Sequence, residues 1–225
     1  MALGSGVRLP FADRAEAGRR LGDRLAAVLG PVGDPADVVV LGLPRGGVVV
    51  AAEVARRLGA PLDAFIVRKL GVPGQPELAM GAIASGGVVV RNDAVIEGRR
   101  LTPEQVAAVV AAEQAELTRR ERAYRGDRPP LDARDRLAIV VDDGLATGAT
   151  ARAALRAVRD QGPAQLVLAV PVAPRDADAG DADQLVALAR PWPFGSVGRY
   201  YRDFAATTDD EVRALLGQHP PESPS

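Results

Sequence analysis

The residues with the clearest chemical potential are Ala138-Ile139-Val140-Val141-Asp142-Asp143-Gly144-Leu145-Ala146-Thr147-Gly148-Ala149-Thr150. An apolar run ends in two adjacent carboxylates. A loop of small residues with two threonines follows, and an alanine-rich helical pattern begins at about Ala149. The order reads strand, turn, helix, with both acids at the C-terminal end of the strand, where open α/β sheets bind ligands. Loop amides and the positive end of a helix dipole suit a phosphate. The two acids repel such an anion and are better used as hydrogen-bond acceptors for hydroxyls, such as the cis diol of a sugar. Together the parts describe a site for a ribose 5-phosphate. A plain strand followed by a capped helix would need one Asp or Thr, not two of each. A Walker P-loop is excluded because no Lys precedes the threonine.

A second segment, Leu41-Gly42-Leu43-Pro44-Arg45-Gly46-Gly47, follows the same plan of strand, tight turn and helix. Its glycines let an anion approach the backbone closely, and Arg45 adds a fixed positive charge. Alone, a Gly-Gly turn is only a turn; ahead of the acid-bearing loop it reads as a second anion site. Lys69, the only lysine of the chain, follows Arg68 at the end of a predicted strand. A compact ammonium there is a candidate phosphate contact, against the alternative of a solvated surface residue.

The elements that must hold these loops can be read along the chain. Asp13 to Leu29 has helical spacing of Ala17, Leu21, Leu25 and Val28, with Asp13 as cap. Val38 to Leu43 is a continuous apolar run, as expected of a strand buried on both faces. Val48 to Leu58 reads as a helix, Leu62 to Val67 as a strand and Gly71 to Glu77 as a loop with two prolines. Gly81 to Arg91 reads as a hairpin around Gly86-Gly87. Thr102 and Gln105 open a long helix that runs to about Tyr124, and a charged connector spans Asp127 to Arg136. After the motif strand Leu137 to Val141 come a helix from Ala149 to Gln161, a strand from Leu166 to Val172 and a helix from Asp178 to Ala189. Pro191 to Asp203 is irregular and aromatic-rich, and Thr208 caps a last helix ending at Leu216. Strands alternating with helices predict an α/β fold with a doubly wound, mostly parallel sheet. The expected layout is one domain over 1–217 with its core at about 38–175, followed by a disordered tail at 218–225.

Composition narrows the classes of function. The 225 residues are 47% hydrophobic and 25% charged, with a formal net charge of −1. That profile is ordinary for a folded domain and offers no bulk attraction to nucleic acid or an anionic membrane. There is no cysteine, and the single His219 lies in the tail. Disulfides and thiolate metal sites are thereby excluded, and the composition argues against a His-based metal site or a Ser-His-Asp triad. No apolar stretch is long enough for a membrane span and the N-terminus lacks a signal pattern, so a cytoplasmic location is expected. Arginines cluster at 119, 120, 122, 125 and 128, but Glu113, Glu116, Glu121 and Asp127 interleave with them. This reads as a solvated helix face rather than a nucleic-acid patch.

The 138–150 stretch resembles the 5-phosphoribosyl 1-pyrophosphate (PRPP) motif of the type I phosphoribosyltransferases: four apolar residues, two acids, and a loop ending Thr-Gly-x-Thr. Gly144 departs from it, since the family usually has an apolar residue there. Pro44-Arg45-Gly46-Gly47 resembles the family's pyrophosphate loop. The segments Arg68 to Ala82 and Val197 to Phe204 resemble an uncharacterised phosphoribosyltransferase-like subgroup. The resemblance covers about Val38 to Leu216. It implies a Rossmann-like core with a small hood formed by about 68–92 and 191–216. It implies that Gly144, Leu145, Ala146, Thr147, Gly148, Ala149 and Thr150 hold the 5-phosphate of PRPP. Pro44, Arg45, Gly46, Gly47, Arg68 and Lys69 would hold pyrophosphate. Asp142, Asp143 and Lys69 would be the catalytic residues, and Mg²⁺ would sit near Asp142 and Asp143, reached directly or through water. Glu77, Trp192, Tyr201 and Asp203 are the candidates for the acceptor side, although Trp192, Phe194, Tyr200 and Tyr201 equally suit a small satellite core. The implied reaction displaces pyrophosphate from PRPP by a nitrogen acceptor such as a nucleobase. Dimers are common in the family. The alternatives are a non-catalytic sensor of PRPP or a nucleotide on the same fold, and an enzyme of nucleotide phosphorolysis or hydrolysis.

Overall fold

Two-sided burial builds the central sheet. The computed structural model describes residues 8–31 and 33–218. Helix α1 (Arg14–Leu29) is capped by Asp13, whose side chain accepts the Glu16 amide. It leads through a short 3₁₀ turn into β1 (Val38–Gly42), every residue of which is buried. Helix α2 (Gly46–Leu58) follows, then β2 (Leu62–Ala64). Three further strands, β3 (Val67–Val72), β4 (Gln75–Ala84) and β5 (Val88–Arg91), precede α3 (Asp93–Gly98) and the 23-residue α4 (Pro103–Arg125). The chain then forms β6 (Leu137–Val141), α5 (Ala149–Arg159), β7 (Gln165–Val172), β8 (Gln184–Ala189) and α6 (Asp209–Gly217).

The five strands β2-β1-β6-β7-β8 pair in that order, all parallel. Alternate residues of each strand enter different cores. Val38 and Val40 of β1 pack with Leu21, Leu25 and Val54 from α1 and α2, while Val39 and Leu41 pack with Ala154, Leu155 and Val158 from α5. The sheet is thus wound on both faces, and its strand order reverses between β1 and β6. Ligands of such sheets bind above that switch point.

Three expectations need correction. The strand read at Leu62 to Val67 is two strands in different sheets, broken at Phe65 and Ile66: the Phe65 amide still bonds Gly42, but Ile66 accepts from Ser85. The proline-bearing loop at Gly71 to Glu77 is the tight turn of the β3–β4 hairpin, with Gly74 at φ 78°. The helix read at Asp178 to Ala189 is a loop followed by the edge strand β8. The hairpin read at Gly81 to Arg91 is present as β4 and β5, with Gly81 opposite Arg91, and β3 extends it into a separate three-stranded antiparallel sheet covered by α4. The tail expected at 218–225 lies, from residue 219 onward, outside the described residues.

Among the described residues, no helix is long and apolar enough to cross a membrane.

Candidate active site

The loops that follow β1 and β6 meet at the switch point. Parallel pairing sets Gly42 opposite Val141, so Pro44–Gly47 and Asp142–Thr150 leave the sheet side by side. The Leu43 amide donates to the Val141 carbonyl at 2.9 Å, and the Pro44–Arg45 peptide bond is cis.

The glycines of the first loop are required by the acids of the second. A Cβ on Gly46 would lie 2.1 Å from Asp143 Oδ2 and 2.7 Å from Arg14 Nε; one on Gly47 would lie 2.8 Å from the Val141 carbonyl. Only hydrogen at these Cα atoms lets the start of α2 reach the acid pair. Gly46→Ala is accordingly expected to displace Asp143. It should lower thermal stability by about 1–3 kcal/mol and weaken anion binding, as a melting curve and a phosphate titration would show.

Gly144, the departure from the motif, also has a steric cause. A Cβ there would fall 2.5 Å from Val197 Cγ1 and 3.0 Å from Val172 Cγ1. Val197, in the 3₁₀ turn Val197–Tyr200, fills the room an apolar side chain would take.

Both helices that open onto the switch point begin without a side-chain cap: α2 at Arg45 and α5 at Gly148. The described helices α1, α3, α4 and α6 are each capped by a side chain, from Asp13, Asn92, Thr102 and Thr208 respectively. The first-turn amides of α5 and those of Gly46 and Gly47 in α2, whose Val48 amide bonds the Arg45 carbonyl, are thus left for a ligand, and the dipole at each end favours an anion. Ala146, Thr147, Ala149 and Thr150 form the exposed rim of the second loop, and Arg152 donates to the Thr147 carbonyl at 2.6 Å.

The acid pair is electrostatically divided. Asp142 Oδ1 accepts the Asp143 amide at 2.8 Å. Burial, and then the neighbouring Asp143 charge, push the Asp142 carboxyl up to about 8. Asp143 faces Arg14 from the first turn of α1, with Nε 2.8 Å from Oδ2. The Tyr201 hydroxyl donates to the Asp143 carbonyl at 2.5 Å, and burial drives that phenol far above its usual range. Arg45, half exposed, has its guanidinium 3.9 Å from Asp209, which also accepts the Tyr124 hydroxyl at 2.8 Å. Asp209 therefore competes for the cation a pyrophosphate would use. Asp209→Asn is expected to tighten pyrophosphate binding by about two- to fivefold, the scale of a half-exposed pair, as calorimetric titration would reveal.

The other sequence candidates are dispersed. Arg68 is engaged by Glu113 of α4 at 2.6 Å, and Lys69 faces Glu77 across the β3–β4 hairpin at 3.4 Å. Glu77 and Trp192 are largely exposed, and the Asp203 side chain accepts the Ala205 amide at 3.0 Å. Tyr201 is buried between Phe11 and Phe204, with ring centroids 5.6 and 5.1 Å away. It joins the satellite core rather than presenting a face to a planar base. Arg14, Phe204 and Asp209 were absent from the sequence candidates, and no local pattern around Arg14 marks it.

Comparison with known proteins decides the family. The model of the phosphoribosyl transferase domain matches residues 33–187, more than half of the chain and including both loops. The chain belongs to that family. Two curated relatives from Mycobacterium tuberculosis strains CDC 1551 and H37Rv, each provisionally named a phosphoribosyl transferase, are 51% identical to it over 209 residues. These residues are 92% of this chain and 46% of each relative, so the chain spans about half the length of the curated relatives it matches. The crystal structure of TT1426 from Thermus thermophilus is 42% identical, with a TM-score of 0.80 over 95% of this chain and 100% of that one.

Proposed function

We propose that this domain is a phosphoribosyltransferase that uses PRPP, with a planar nitrogen heterocycle such as a nucleobase as acceptor. The observation that carries the reading is the placement of two uncapped helix N-termini on either side of an acid pair at the switch point. Two anion sites flanking hydrogen-bond acceptors match a ligand with a phosphate at one end, a pyrophosphate at the other and a diol between.

In this reading the amides of Gly148–Thr150 hold the 5-phosphate, and the Arg45–Gly47 turn receives the pyrophosphate. The C1–oxygen bond breaks with its electron pair leaving on pyrophosphate. The acceptor nitrogen forms the new C1 bond and loses its proton. Positive charge grows on the ribose in the transition state, and the Asp142 and Asp143 carboxylates favour it electrostatically. Fixing both ends of the donor supplies the positioning.

Asp142 and Asp143 are also the residues that would hold Mg²⁺. Mg²⁺ takes most of its oxygens from phosphates and water, so two carboxylates at the sheet edge suffice on the side of the chain. When bound, Mg²⁺ would supply neutralisation of the pyrophosphate charge.

The test is calorimetric titration with PRPP and Mg²⁺, followed by pyrophosphate release over a panel of nucleobases. Binding with release for one base is the expected result. Absence of PRPP binding would overturn the reading.

A further inference from the structure

Among the described residues Arg14 makes the one ion pair to either acid, yet it comes from the far end of the chain, 129 residues away. Its position is unfavourable for its own helix. A cation in the first turn opposes the dipole of α1, which Asp13 and Glu16 already satisfy. Its surroundings explain it instead. Nε bonds Asp143 at 2.8 Å, Nη1 donates to the Ala205 carbonyl at 2.7 Å, and the guanidinium carbon lies 3.8 Å from the Phe204 ring centroid. Arg14 and Asp143 are 12% and 17% exposed, so the pair is only weakly screened by water.

One planar side chain therefore touches the PRPP loop and the C-terminal segment together, a task that suits the rigid donor fork of arginine and its affinity for aromatic faces. Tyr201 closes the circuit. Its ring stacks on Phe204, its hydroxyl bonds the Asp143 carbonyl, and its own segment pairs with Phe11, where the Phe11 amide donates to the Tyr200 carbonyl at 2.8 Å and the Arg202 amide donates to that of Phe11 at 2.8 Å. Asp143 is thus held at both its carboxylate and its carbonyl. Asp142 makes no ion pair among the described residues; its Oδ1 accepts an amide, and no described residue bonds its other oxygen.

We propose that Arg14 is a positioning residue that locks Asp143 to the C-terminal segment 201–205, leaving Asp142 as the carboxylate of the pair with the larger share in holding the ligand. The second clause rests on the phosphoribosyltransferase reading; the first does not.

Two measurements on the full chain test it. Hydrogen exchange of the ligand-free wild type, Arg14→Gln and Arg14→Lys reads the lock directly. Arg14→Gln is expected to speed exchange about tenfold or more in both 142–146 and 201–206, with the β7 amides unchanged and Arg14→Lys partly restoring protection. Loosening of one segment alone, or uniform loosening that Arg14→Lys does not repair, would overturn the lock. Titration with Mg²⁺ and PRPP reads the division of labour. Asp142→Asn is expected to lose about 100-fold in affinity and Asp143→Asn about tenfold or less. Arg14→Gln added to Asp143→Asn should cost nothing further, because both act through one contact. A further large loss in that double variant would assign Arg14 to the ligand itself and overturn the proposal. A wild type that does not bind PRPP would refute the functional reading, while the exchange data would still decide the lock.

Discussion

Asp142→Asn is expected to make the ligand-free protein more stable at alkaline pH while weakening the PRPP binding and turnover proposed for it. The Asp142 carboxyl titrates near 8 in the folded chain because burial and Asp143 disfavour its charge. In the unfolded chain it titrates near the ordinary aspartate value of about 3.9. The folded state therefore holds a proton between these values that the unfolded state has released. Its contribution to stability is complete below about pH 4 and is lost as pH rises through about 8. Asparagine is neutral throughout and can still accept the Asp143 amide. Near pH 4 the variant and the wild type should melt alike. At pH 9 the variant should melt higher by at least about 2–4 °C, the shift for 1 kcal/mol in a chain of this size. Activity moves the other way at pH 9, where the Asp142 carboxyl is ionised: a neutral amide offers the ribose cation no charge, and a loss of about 100-fold or more in kcat is expected there. Melting curves at the two pH values and pyrophosphate release measure both halves. A variant that melts lower at pH 9 would contradict the electrostatic account of the pair.

Arg125→Met is expected to cause a large loss of stability although it lies outside the site. Arg125 ends α4 with its side chain 6% exposed, and its Nε lies 2.7 and 2.8 Å from the two oxygens of Asp63 on β2. Nη2 donates to the Ala64 carbonyl at 2.8 Å, and Nη1 reaches Glu121 at 3.1 Å. Asp63 also accepts the amides of Ala64 and Leu131. One guanidinium thus joins the long helix, the edge strand of the main sheet and the connector that leads to β6. Methionine would retain the stem but strand a buried carboxylate. The expected cost is about 3–5 kcal/mol, or roughly 6–20 °C in melting temperature. Replacing Asp63 by Leu in the same variant is expected to recover much of the loss, since the cost lies in the unpaired charge rather than in the missing attraction. Thermal denaturation of the single and double variants checks this.

The misread elements have identifiable causes. Ala64-Phe65-Ile66 is continuously apolar, so nothing local marks the point where the chain stops pairing with β1 and starts a second sheet; the marks are distant partners, Gly42 and Ser85. Asp178 to Ala189 is rich in alanine and leucine, good helix formers, but parallel pairing with β7 over Gln184–Ala189 overrides propensity. Pro76 argued for a loop. It is tolerated at the start of β4 because the register shifts beside it at Gly71 and β5 pairs only from Gly81 onward.

The two loops that follow β1 and β6, by contrast, were legible as strand-turn-helix units because each is a run of consecutive residues. Apolar strand, acids or glycines, and helix onset lie within a dozen positions, and backbone geometry carries that order directly into space. Alternation of strands and helices likewise dictates a parallel, doubly wound sheet whatever the details of packing. Which loops become neighbours depends on strand order, and the reversal between β1 and β6 arises only when the sheet assembles. The partners of the acids depend on assembly in the same way. Arg14 and Tyr201 reach Asp143 across 129 and 58 residues, and the aromatic segment is tied inward by the backbone bridge between Phe11 and Tyr201. Side-chain contacts between distant segments are products of packing, and no spacing along the chain encodes them.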